Sequence, residues 1–180
     1  MERTLPGVER AMGLVVAVAL VVSGGAPDIG SLSCQDVGPL TGLWRGVVTS
    51  VERQITHEIT WLLYQLRQTP TEVWGYSLEV IPADALPPQP PRRLPLYLSG
   101  QLEGRGNGEG VILRVVRART EVKGHLVDLS PDLARYGMVT LGSRMRMQIS
   151  HDRKTLQGEG ESRDFGRLHL RLEKAVKLCS

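Results

Sequence analysis

From Gly42 onward apolar residues recur at every second position, and this period decides the fold class before any motif does. Met145, Met147 and Ile149 alternate with Arg144, Arg146, Gln148 and Ser150. Leu168, Leu170 and Leu172 alternate with Arg167, His169, Arg171 and Glu173. Side chains two apart on a strand share a face, so each run describes a strand with one side in a core and the other in water. Between the two runs, His151-Asp152-Arg153-Lys154 is a polar turn that leads through Leu156-Gln157-Gly158 into another short strand, which is hairpin chemistry.

The same alternation predicts strands over 43–52, 55–68, 73–80, 96–103, 111–119 and 120–129. In 55–68, Ile55, His57, Ile59, Trp61 and Leu63 share one side of a strand, while Ile55, Ile59, Leu62 and Leu66 also fit a helical face. Thr56, Ile59 and Thr60 favour the strand. In 73–80 the alternating apolar set is Trp74, Tyr76, Leu78 and Val80, which makes it the expected buried side.

Residues 83–94 interrupt the pattern with Pro87, Pro88, Pro90 and Pro91. Without N–H groups these cannot join a ladder, so an exposed extended loop is expected, with Arg92-Arg93 open to a trypsin-like protease. Gly104, Gly106, Gly108 and Gly110 lead into Val111-Ile112-Leu113, a strand and not the helix a phosphate cradle requires, so Asn107-Gly108 reads as a hairpin tip. Residues 130–142 form a longer connection with one helical turn at 131–135. The sum is eight or nine short antiparallel strands. A single all-β barrel, or a strongly curled sheet of about eight strands, follows because closure removes the unpaired edges. An interior of that size is either filled by side chains or holds one small ligand.

Ahead of this domain, Met12 to Val22 is an unbroken apolar run preceded by Arg3 and Arg10 and followed by Ser23-Gly24-Gly25-Ala26. At about 1.5 Å per residue it is too short to cross a hydrocarbon core of roughly 30 Å as a permanent span. Basic head, short apolar middle and small residues behind it are what a secretory signal peptide looks like. The expected organisation is a signal peptide at 1–25, a lead-in at 26–41 and a β-barrel at 42–176, exported to the periplasm or the extracellular space. Cys34 and Cys179 are the only cysteines and bracket the domain, which in an oxidising compartment reads as one disulfide joining its ends. Free thiols and an intermolecular bridge are the other readings.

Gly42-Leu43-Trp44 opens the first strand shortly after Cys34, and the last strand ends shortly before Cys179. In this the chain resembles the calycin superfamily, the lipocalin and avidin-type barrels, in which a Gly-x-Trp near the first strand packs its indole across one barrel end. The resemblance implies a barrel with Trp44 as a structural plug or a ligand contact. A second lipocalin signature and avidin-type aromatic walls are not found, and no basic partner for the tryptophan is assigned from the sequence.

His57 stands apart from the other histidines because alternation puts it with Ile55, Ile59 and Trp61. It is either a core histidine satisfied by one partner or, together with Trp44 and Trp61, a ligand-facing residue. His125 and His169 fall on polar faces and His151 in a turn. No two histidines have metal-ligand spacing and no serine lies in a nucleophile elbow, so no catalytic residue, metal or cofactor is expected. The net charge of +3 is interspersed along the chain and gives no nucleic-acid stripe. Arg144, Arg146, Arg167 and Arg171 lie on expected outer faces, either as a solvated surface or as a patch for an anionic partner. Aromatics are 4% of the chain, which is thin for a wide hydrophobic pocket. The expected function is a non-enzymatic module acting through its outer surface on an envelope component or a partner protein. The alternative is a carrier of a small apolar ligand inside the barrel.

Overall fold

The computed structural model describes residues 37–86, 96–107, 109–122 and 125–176. Residues 1–25, Cys34, Cys179 and most of the proline-rich segment lie outside these. Nine strands follow in order: β1 (Gly42–Ser50), β2 (Thr56–Gln65), β3 (Glu72–Ile81), β4 (Leu96–Gly106), β5 (Gly110–Val122), β6 (His125–Asp128), β7 (Arg144–Ile149), β8 (Thr155–Ser162) and β9 (Gly166–Val176). All pairings are antiparallel, in the order β4-β3-β2-β1-β9-β8-β7-β5-β6, and β4 also pairs with β5. That last pairing closes eight strands into an up-and-down barrel. β6 remains outside the ring as a short extra strand on β5.

The ambiguous segment 55–68 is strand. β2 pairs with β1 so that Trp61 lies opposite Trp44, Ile59 opposite Gly46 and His57 opposite Val48. Trp44, Val48, Ile59 and Trp61 join Leu102, Leu113, Met145, Met147, Leu156, Leu168, Leu170 and Leu172 in one continuous core. The C-terminal alternation is placed as expected, with Met145 and Met147 inside and Arg144 and Arg146 outside. The β1–β9 pair is close at Gly46: a Cβ there would lie 1.8 Å from the Arg171 carbonyl oxygen, so only glycine lets the two strands approach.

β5 is longer than the pattern suggests. It carries one extra residue, Val116, opposite the step from Gln101 to Leu102. At this bulge its second edge changes partner, from β7 along Gly110–Arg114 to β6 along Arg119–Val122. The chain then returns through helix α1 (Pro131–Ala134), capped by the Ser130 hydroxyl, which accepts from the Leu133 amide at 3.4 Å.

β3 corrects the sequence reading. The register sets Ser77 opposite Trp61 and Glu79 opposite Ile59, so Val73, Ser77, Glu79 and Ile81 face the interior. Trp74, Tyr76, Leu78 and Val80, the more apolar set, lie on the outer face of the barrel wall, where Tyr76 and Leu78 are nonetheless buried. There Tyr64 stacks on Trp74 with ring centroids 4.4 Å apart. The register is imposed by the strands on either side, and β3 is apolar enough on both faces to accept it.

The connection 130–142 is also more than a surface loop. After α1 the segment 137–143 crosses one barrel end as a strap, burying Met138 and Val139 in the core. It is zipped to β5 where the Gly142 amide donates to the Val115 carbonyl at 3.1 Å and the Val115 amide to that of Ser143 at 3.0 Å.

Candidate functional site

The three residues singled out as ligand-facing, Trp44, His57 and Trp61, all point into the barrel, with exposures of 0%, 2% and 0%. They divide between the ends. At the first, the Trp44 indole donates to the Leu40 carbonyl at 2.9 Å. Lys174, directly opposite Trp44 in register, places its ammonium 4.8 Å from the indole ring and donates to the Pro39 carbonyl at 2.8 Å. Trp44 is therefore plugged from both sides by its own chain, with a cation on the indole face. Lys174 was legible in principle, since it stands in phase with Leu168, Leu170 and Leu172.

The second end lies under the strap. Glu79 is fully buried, and three donors meet its carboxylate: the Met138 amide on Oε1 and the Val139 amide on Oε2, both at 2.9 Å, and His57 Nδ1 on Oε1 at 2.7 Å. Burying a carboxylate is costly unless it is hydrogen-bonded, and three donors meet that requirement. With Glu79 accepting, Nδ1 is the donor of this pair. Phe165 covers the pair, its ring 6.3 Å from that of His57 and nearly perpendicular, and the Arg53 guanidinium lies 4.5 Å from the Phe165 ring.

His57 Nε2, Trp61 Nε1 and Ser162 Oγ have no hydrogen-bond partner among the described residues. The His–Glu arrangement resembles an oriented general base, but His57 is 2% exposed and among the described residues its Nε2 meets no hydroxyl or thiol. Glu79 ties the strap to the wall, and His57 supplies its third donor. Sequence reasoning placed His57 on the inner face and missed Glu79, because an acid in a strand whose alternate positions are aromatic reads as outward.

On the outer surface, Arg144, Arg146, Arg167 and Arg171 line one groove of about 990 Å³ over β7, β8, β9 and β1. The groove is not uniformly basic. Row by row across the strands, Arg144, Glu161 and Arg167 stand opposite one another, then Arg146, Glu159 and His169, then Gln148, Gln157 and Arg171. A column of acids on β8 thus separates two basic columns. Arg167 is engaged by Glu52 at 3.3 Å and Glu159 lies 3.6 Å from His169, all four side chains being exposed. Val47 and Ile112, 40% and 52% exposed, are apolar residues of the same groove. Among the described residues no group of three or more His, Cys, Asp or Glu is arranged to hold a metal ion.

The strand order defines an eight-stranded antiparallel β-barrel protein. No family model matches the chain, and no curated protein matches it. Among solved structures it is similar to a redesigned β-barrel, at 14% identity and a TM-score of 0.43, over 77% of this chain and 93% of that one. At that distance the likeness carries no argument, and the barrel rests on its own strand pairings.

Proposed function

We propose that this chain is an exported, non-enzymatic β-barrel module that acts through its outer surface, on an envelope component or a partner protein. One observation carries the reading: the inward-facing side chains form a continuous core, while the four arginines singled out by sequence converge on one outer groove. A calycin-like origin is part of the proposal. It is supported by Gly42-Leu43-Trp44 at the start of β1 and by Lys174 on the Trp44 indole, the kind of basic partner that covers this tryptophan in those barrels. Export is supported by the apolar run and its flanks, and N-terminal sequencing of the native protein tests it. Recovery of intact Met1 from the cytoplasm would contradict export.

The carrier reading retains one specific support, the unpartnered buried atoms His57 Nε2 and Trp61 Nε1. Native mass spectrometry of protein purified from its own host separates the two. The surface module should show the polypeptide mass alone. A stoichiometric small molecule would overturn it in favour of the carrier.

A further inference from the structure

We propose that the outer face of the β7–β8 hairpin is a self-complementary docking face for a second copy of this chain. The inference rests on the reading that the outer surface is the working surface and names its partner. Three rows make up the face: Arg144 opposite Glu161, Arg146 opposite Glu159, and Gln148 opposite Gln157. All six side chains are exposed and all six line the groove. Facing residues on paired strands have Cβ atoms about 5 Å apart, so Arg144 and Arg146 could reach their acids within the chain. They do not: among the described residues neither arginine has a carboxylate within 4.0 Å, and Glu161 has no basic partner at that distance. Both signs are left unpaired side by side.

A polyanion fits this face poorly, because Glu159 and Glu161 run between the basic columns and would meet its charges directly. A second copy fits. A two-fold axis lying in the contact plane, along the strands and midway between β7 and β8, sets each β7 over the other copy's β8. Arg144 then meets the second copy's Glu161, Arg146 its Glu159 and Gln148 its Gln157, each contact occurring twice. Arg114 and Arg167 come next out along the first row, and Arg167 is already engaged by Glu52 at 3.3 Å. Three rows on two strands fall well short of the roughly 800 Å² per partner of a standard interface, so the association is weak and salt-sensitive, with a dissociation constant of about 0.1 mM.

The test is sedimentation equilibrium of the chain as isolated from its host, up to about 1 mM, a range that brackets an affinity of this order. Wild type should dimerise at low ionic strength, with association weakened about tenfold in high salt. R144E/R146E makes the face wholly acidic and E159R/E161R makes it wholly basic, so each alone should remain monomeric. An equimolar mixture of the two should form heterodimers. The combined variant R144E/R146E/E159R/E161R restores every pair with the signs exchanged and should self-associate like wild type. It also keeps the net charge and the cross-strand pairing, so it remains informative if either double variant folds poorly. A wild type that is monomeric throughout, or charge-reversed variants that dimerise unchanged, would overturn the inference. Neither result touches the mass measurement that tests the surface reading.

Discussion

Glu79 shows how one carboxylate can hold a large structural feature in place. It is fully buried, and two of its three donors are amides of the strap that crosses the barrel end. Glu79→Gln keeps the shape but turns one oxygen into a donor that must face another donor. Breaking a buried charged network of this kind costs about 3 kcal/mol. The expected outcome is that loss in denaturant unfolding, with the Met138 and Val139 amides exchanging hydrogen at least about tenfold faster. Exchange at wild-type rates would show that the strap does not depend on this carboxylate. Tyr64 and Tyr76 give the pH dependence at the same scale. Burial holds the Tyr64 hydroxyl above the ordinary tyrosine value, with the nearby Tyr76 adding to it. Burial raises Tyr76 as well, although Arg119 opposes the shift. A raised folded value means that the native state holds the proton longer than the unfolded chain. Their contribution is therefore complete below a pH of about 10 and is lost as the pH rises through the folded values. The phenolates of Tyr64 and Tyr76 should appear late, together with alkaline unfolding. Titration of Tyr64 and Tyr76 at their ordinary value in the folded protein would contradict the burial of that outer layer.

Among the elements, the C-terminal hairpin was the most legible. In β7 and along 168–172 of β9 every inward residue is apolar and most outward ones are charged, so a single register satisfies both faces. β3 was legible as a strand but not in its facing, because Trp74, Tyr76, Leu78 and Val80 outweigh Val73, Ser77, Glu79 and Ile81 in apolar surface. Its neighbours' pairing overrode that preference, a decision made between strands and invisible within one. The strap was invisible for a similar reason: Met138 and Val139 look like two apolar residues in a loop until Glu79 is placed beneath them. Gly46 marks the close approach of β1 to β9. Gly46→Ala puts a methyl group 1.8 Å from the Arg171 carbonyl oxygen, and a backbone atom cannot move aside as a side-chain tip can. A loss of about 3 kcal/mol or more is expected, or failure to accumulate folded protein. An alanine variant with the wild-type unfolding midpoint would mean that β1 and β9 are farther apart than this.

At the scale of the molecule, the barrel is a meander whose first and last strands pair, so the two flanks of the domain meet at one end. Leu43 pairs with Val176, and Lys174 donates to the Pro39 carbonyl at 2.8 Å. Cys34 is five residues before Pro39 and Cys179 five residues after Lys174, both beyond the described strands. Barrel closure thus brings together Pro39 and Lys174, each five residues in sequence from one of the only two cysteines, which supports the bridge read from their number and positions. A link that closes nearly the whole domain restricts the unfolded chain strongly, by up to about 5 kcal/mol in the chain-entropy account. For a domain of this size Cys179→Ser should lower the thermal midpoint by about 10 °C. Cys34→Ser should match it, and the double variant should lose no more than either single one, because all three remove the same link. Mass spectrometry without reductant should find the exported wild type lighter by the two hydrogens of one bridge. Two free thiols in that material, or unequal losses in the two single variants, would show that the strand pairing alone holds the ends together.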